Sequence, residues 1–202
     1  HGFPGREAQL QERGIQATGL RMPECSHPDC DRWQATMREA IGQLDEHTIL
    51  VAHSLGTISV LHFASQSGAT RLGGIVLVSG FAGRIPGLST LDGFDVDAYT
   101  DRAKIDMATI HAMSPVLQHV ISTNDYVVPP SVGEQLAQRL GGTVHRVPDA
   151  GHFLDREGFT ELPVVLRAVE DVVQGAGVAG GSGFQEEYLS LDIVGYQLVV
   201  YT

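Results

Sequence analysis

Two short apolar runs constrain this chain most. Thr48 to Ala52 (TILVA) and Gly74 to Ser79 (GIVLVS) are almost continuous in apolar residues. A strand reads this way when helices cover both faces of a parallel sheet, because neither set of alternating side chains meets water. Val116 to Ser122 and Thr143 to Val147 give two more strands, and Ile15 to Met22, ending at Pro23, gives another. Between them the period changes. Asp31 to Leu44 carries Trp33, Met37, Ala40, Ile41 and Leu44 at helical spacing, and Thr57 to Gln66, Ser131 to Leu140 and Glu161 to Gln174 also read as helices. Strands alternating with helices predict an α/β fold, a doubly wound and mostly parallel sheet flanked by helices. Pro4 to Arg13 reads as a short helix stopped by Gly14. Gly80 to Met113 is less regular, with loops and a helix near Tyr99 to Thr109, and is too short for a separate lid domain.

Composition narrows the function classes. At 202 residues and 43% apolar, the chain is long enough to bury one core. No window approaches the roughly 20 apolar residues of a membrane span, so no membrane partner is expected. A formal charge of −11, with a single lysine at Lys104, disfavours nucleic acid as a partner. Two cysteines are too few for a disulfide scaffold, and with no secretory leader evident the expected location is cytoplasmic. Cys25-Ser26-His27-Pro28-Asp29-Cys30 offers two thiols and an imidazole, but no fourth ligand at a standard zinc spacing. Ordinary loop thiols are the better reading, and neither metal nor cofactor is expected.

The chemistry centres on Ala52-His53-Ser54-Leu55-Gly56, between a strand and a helix. A tight strand-to-helix turn needs small residues two positions before and after its central residue, and Ala52 and Gly56 supply them. Such a turn presents a serine at the carboxyl end of the sheet, where open α/β sheets bind ligands. A helix-capping serine would give the same local pattern. A nucleophilic serine needs a base, and the base an orienting acid. Asp125 follows the strand Val116–Ser122, and His152 follows Thr143–Val147, so both can reach the edge that carries Ser54. Taken singly, Asp125 is also a turn aspartate and His152 a loop histidine; their joint order after three strands favours Ser54 as nucleophile, Asp125 as acid and His152 as base. His53 adjoins Ser54 but points away from it on such a turn, and Asp149 and Asp155 read as loop residues.

These segments resemble the small single-domain α/β hydrolases of the retinoblastoma-binding protein 9 and YdeN type. The matching pieces are Leu50 to Gly56, Gly74 to Phe81, Ser122 to Asp125 with Val128-Pro129, and Gly151 to Phe159. The resemblance spans about Gly14 to Val173. It implies a serine hydrolase, carboxylesterase-like, that acts on small esters or amides without a cofactor, and it carries the same three residues. It further implies that the Ser79-Gly80-Phe81 loop lines the acyl pocket, with Phe81 and Phe153 as pocket residues. A non-catalytic interaction module on the same fold, or an engineered scaffold, is the competing expectation.

The ends depart from that pattern. The family opens with a central strand and a His-Gly loop that supplies an oxyanion amide, then a His-Trp-Phe-Pro-Trp segment. His1-Gly2-Phe3-Pro4-Gly5 is similar to that second segment with glycine for both tryptophans; His1-Gly2 also fits the oxyanion loop. Gly175 to Gly183 (GAGVAGGSG) reads as a flexible linker, and Phe184 to Thr202 is rich in strand formers. One expectation is therefore a circular permutant, with Tyr188–Tyr196 as the displaced first strand and the amides of Leu55 and Tyr196 as the oxyanion hole. A second register places that strand at Tyr196–Thr202, and a third possibility is an unrelated tail. A displaced strand exchanged between chains would give a homodimer.

Overall fold

The computed structural model describes residues 17–154, 163–175 and 198–201. The element order is β1 (Ala17–Leu20), α1 (Cys30–Ile41), β2 (Ile49–His53), α2 (Leu55–Gln66), β3 (Gly74–Val78), β4 (Thr90–Leu91), β5 (Phe94–Asp95), α3 (Val96–Arg102), α4 (Met107–Ala112), β6 (Val116–Ser122), α5 (Pro130–Leu140), β7 (Thr143–Val147), α6 (Pro163–Gly175) and β8 (Leu198–Tyr201). The main sheet runs β1-β8-β2-β3-β6-β7. β2, β3, β6 and β7 pair in parallel, and their register sets His53 level with Val78 and Val78 level with Val120. The apolar runs explain this: every residue of β2 and of β3 is buried.

Alternate residues of those strands feed two core layers. Leu50, Ala52, Ile75 and Leu77 face the layer that holds Trp33 and Met37 of α1, Ile58 and Leu61 of α2, and Leu136 of α5. Ile49, Val51, Val76, Val78 and Val120 face Val165, Ala168, Val169 and Val172 of α6. Each fully buried Val, Leu, Ile or Met side chain among them contributes about 1.5–3 kcal/mol. The α6 layer lies close on the sheet, and a Cβ at Gly74 would run into the Val172 side chain and the Val116 carbonyl. The α/β expectation therefore holds, with parallel strands at the centre and helices on both faces. Among the described residues, no helix is long and apolar enough to cross a membrane.

Two regions differ from the sequence expectation. The helix expected near Tyr99 to Thr109 is two helices, α3 and α4, preceded by a β4–β5 hairpin. The break has a cause: Asp106 caps α4, its carboxylate accepting from the amides of Ala108 and Thr109. The hairpin turns at Asp92 (φ 50°) and Gly93 (φ 82°), the left-handed pair that a two-residue turn demands.

The other region is the tail. Residues 198–201 join the sheet between β1 and β2 and run antiparallel to both. A displaced first strand in the second register would occupy that slot, but it would run parallel to β2 into the expected oxyanion loop; β8 has the opposite direction. The strand expected over Tyr188–Tyr196, the linker from residue 176 onward and the helix over Pro4–Arg13 lie outside the described residues.

Candidate active site

Ser54 directly follows β2 in a strained conformation, φ 52° and ψ −123°, at the N-cap position of α2. A non-glycine residue with positive φ needs to be held there. Its amide donates to the Val78 carbonyl at 2.9 Å, continuing the ladder to β3, and its carbonyl accepts from the Thr57 hydroxyl at 2.6 Å. The Ser54 side chain makes no capping hydrogen bond. Its Oγ instead lies 3.0 Å from His152 Nε2. That distinguishes it from a helix-capping serine, which the sequence pattern alone also allows.

Two loops bring the partners to the same edge. Thr123 Oγ1 accepts from the Asp149 amide at 3.0 Å, and Asn124 Oδ1 accepts from the Gly151 amide at 2.7 Å, so the loop after β6 is tied to the loop after β7. Asp149, Gly151 and Phe153 all have positive φ, which folds that second loop tightly around His152. His152 Nδ1 donates to the Asp125 carboxylate, 2.9 Å from Oδ2 and 3.0 Å from Oδ1. With Nδ1 as donor, a neutral ring presents a bare Nε2 toward Ser54.

Asp125 is unusually well satisfied. Its Oδ1 accepts from the amides of Val127 and Val128, both at 2.9 Å, and its Oδ2 accepts from Ser79 Oγ at 2.6 Å. Burial alone would push its carboxyl up. The hydrogen bond and charge of His152, then the Ser79 hydroxyl and the Val128 amide, outweigh burial and hold the carboxyl below the usual range.

His53 points away from Ser54, as the turn geometry requires. Its Nε2 donates to the His152 carbonyl at 2.9 Å, and the two rings lie 4.7 Å apart. Burial, helped by the charge of His152, drives its pKa down to about 3, so the ring stays neutral. Sequence reasoning sets His53 aside as a base but gives no sign of its contact with the His152 backbone. It also misses the bond from Ser79 to Asp125, placing Ser79 on the acyl pocket wall. The one sequence clue is a serine directly before Gly80 at a strand end.

Most of the remaining expected site residues lie within the described part of the chain. Leu55 is the first residue of α2, beside Ser54, and Tyr196 lies outside the described residues. Phe81 is buried in the α1–α2 layer, its amide donating to Thr57 Oγ1 at 3.2 Å. Phe153 is fully buried in the other core layer, with Val51, Val78 and Val169. Asp149 is exposed and Asp155 is outside the described residues. Cys25 Sγ donates to the Met22 carbonyl, and Cys30 Sγ lies 3.5 Å from His62 Nδ1. Among the described residues, no three His, Cys, Asp or Glu side chains come together to hold a metal. A cleft of about 380 Å³ between α1 and α3, lined by Asp29, Cys30, Phe94, Tyr99 and Arg102, includes none of Ser54, Asp125 and His152.

Known proteins are similar to this chain in sequence and in fold. The family model described as "Serine hydrolase" matches residues 7–171. A Bacillus subtilis protein named "Putative hydrolase YdeN" is 38% identical over 166 residues, covering 82% of this chain and 84% of that protein. The rat protein "Serine hydrolase RBBP9" is 26% identical over 171 residues, covering 84% and 87%. The crystal structure of the Bacillus subtilis ydeN gene product superposes with a TM-score of 0.73 at 35% identity, covering 86% of this chain and 91% of that one. A putative YdeN-like hydrolase from Pectobacterium atrosepticum shares the fold, with a TM-score of 0.59 at 20% identity over 78% and 76% of the two chains. By its sequence and its fold, the chain belongs to the serine hydrolase family.

Proposed function

We propose that this hydrolase cleaves small carboxylic esters through an acyl-enzyme on Ser54, with His152 as general base and acid and Asp125 as the orienting acid. The observation that carries the reading is the continuous relay from Ser54 Oγ to His152 Nε2 (3.0 Å) and from His152 Nδ1 to Asp125 (2.9 Å). Both distances are within reach for proton transfer in the ground state.

In this mechanism Ser54 Oγ attacks the ester carbonyl carbon while its proton passes to His152 Nε2. The carbonyl π pair moves onto oxygen as a tetrahedral oxyanion. When the oxyanion collapses, the bond to the leaving alcohol breaks and His152 Nε2 returns the proton to that alcohol. Water then attacks the acyl-Ser54 carbonyl, giving its proton to Nε2, and the acid leaves as Ser54 Oγ is reprotonated. Asp125 stabilises the transient imidazolium without taking the proton. Leu55 is the natural source of one oxyanion donor, because amides in the first turn of a helix have no intrahelical acceptor. An amide substrate needs the same steps with a poorer leaving group.

Hydrolysis of p-nitrophenyl acetate and butyrate by the wild type and by Ser54→Ala tests the reading. Turnover present in the first and absent in the second is expected. Folded wild-type protein without turnover, and without labelling by a fluorophosphonate, would overturn the proposal in favour of an interaction role on a hydrolase fold.

A further inference from the structure

The acid of this relay has a partner beyond the three residues. Two backbone amides, from Val127 and Val128, pin only Oδ1 of Asp125. A carboxylate pinned at one oxygen can still swing the other. Oδ2 receives Ser79 Oγ at 2.6 Å, a short charge-assisted hydrogen bond, alongside His152 Nδ1 at 2.9 Å. Ser79 is itself buried, at 3% exposure, so water does not compete for this bond.

The backbone at Ser79 sharpens the point. Its φ is +46°, a region where glycine sits without strain and an L side chain does not. Its amide donates to the Val120 carbonyl at 3.0 Å, so the sheet holds this backbone whatever side chain it bears. What serine adds over glycine here is the hydroxyl, and the hydroxyl goes to Asp125.

We infer that Ser79 is a positioning residue: its hydroxyl fixes the plane of the Asp125 carboxylate and thereby the aim of His152 Nε2 at Ser54. This rests on the catalytic reading of Ser54, His152 and Asp125. The role is distinct from lining the acyl pocket, because the hydroxyl acts through the acid and not on the substrate.

Two substitutions separate positioning from structure. Ser79→Gly removes the hydroxyl and relieves the backbone; Ser79→Ala removes the hydroxyl and keeps the strain. If the hydroxyl positions Asp125, both lower kcat on p-nitrophenyl butyrate by on the order of tenfold, with KM unchanged. Ser79→Gly does this with no loss in its urea unfolding midpoint. In both variants the downfield proton NMR signal of His152 Nδ1–H shifts or broadens, because the carboxylate it faces has been freed. An unchanged kcat with an unmoved proton signal would overturn the inference. So would a fall in kcat confined to Ser79→Gly, which would trace to chain flexibility, or one that tracks the unfolding midpoint. The NMR signal needs no substrate. If the wild type turns over no ester, the hydrolase reading fails by itself, and the signal still decides whether Ser79 orders the Asp125–His152 pair.

Discussion

Two serines one strand apart make an instructive pair. Ser54 directly follows β2 and Ser79 directly follows β3. Each has a positive φ, 52° and 46°. Each donates its amide to the next strand, Ser54 to Val78 and Ser79 to Val120. Each is buried. The backbone device is the same, yet one hydroxyl meets His152 Nε2 and the other meets Asp125 Oδ2. The two serines differ in the segment that each one enters. Ser54 leads straight into α2, so its side chain stands at a helix N-terminus beside Leu55, whereas Ser79 leads into a loop. A strained serine at a strand end is therefore not bound by its backbone to one partner. The loops after β6 and β7 decide which side chain its hydroxyl meets.

The largest expected effect tests the first member of the pair. Ser54→Ala should lower kcat by on the order of 10⁴–10⁶, while Ser79→Ala lowers it by only about tenfold; steady-state ester hydrolysis reads both. Equal losses at the two positions would erase the distinction. Asp125→Asn comes next, with a fall of about 10⁴ in kcat. The amide loses one acceptor and presents an N–H to one of its present donors, His152, Ser79 or the two valine amides. A loss of less than tenfold in pre-steady-state acylation would argue that His152 is held by its loop alone.

A third prediction concerns pH. His53 has a folded pKa near 3, against an ordinary value near 6.5. Between those values the unfolded chain binds a proton that the folded chain refuses, so stability rises with pH across the window and is lost as the solution is acidified from about 6.5 toward 3. His62 and His119, also lowered by burial, add slopes of the same sign. Asp125, held below its usual range, adds its loss below about pH 4. Urea unfolding at a series of pH values should show a decline of a few kcal/mol, and His53→Gln should flatten it above pH 4. The same slope in wild type and variant would mean that His53 is not the buried neutral group described.

The smallest effect is the most specific to the comparison. Ser54→Gly and Ser54→Ala should be equally inactive, but the glycine variant should be more stable by about 1 kcal/mol, because it alone relieves the positive φ. The same ordering is expected of the glycine and alanine variants at Ser79. Calorimetric melting of the four proteins checks it.

Much of the fold and the site is legible in the sequence because it rests on short-range signals. Continuous apolar runs mark β2 and β3 as doubly buried, and the small residues Ala52 and Gly56 mark the turn at Ser54. Asp125 and His152 are legible through their places after β6 and β7. The role of Ser79 is not, because a serine beside a glycine carries no sign of its φ or of an aspartate forty-six residues away in the chain. His53 is legible only as a residue that points away from the base position; the carbonyl it reaches belongs to a loop ninety-nine residues on. The Asp92-Gly93 hairpin carries its ordinary signature, hidden among irregular neighbours. The antiparallel direction of β8 has no local signal at all, since strand direction is set by the path of the connecting chain.

The burial of α2 carries one more consequence. All residues from Leu55 to Ala64 are buried, so this helix has no long solvent-facing stripe in its first two and a half turns. Solvent reaches such amides only when much of the domain opens, and hydrogen exchange there should report the full free energy of unfolding. The hairpin and short helices between residues 90 and 112 should exchange sooner. The strained turn at Ser54 is thus spliced into the slowest-opening part of the molecule. Its geometry should persist through fluctuations that loosen the surrounding loops, and heating should inactivate it only as the whole domain melts.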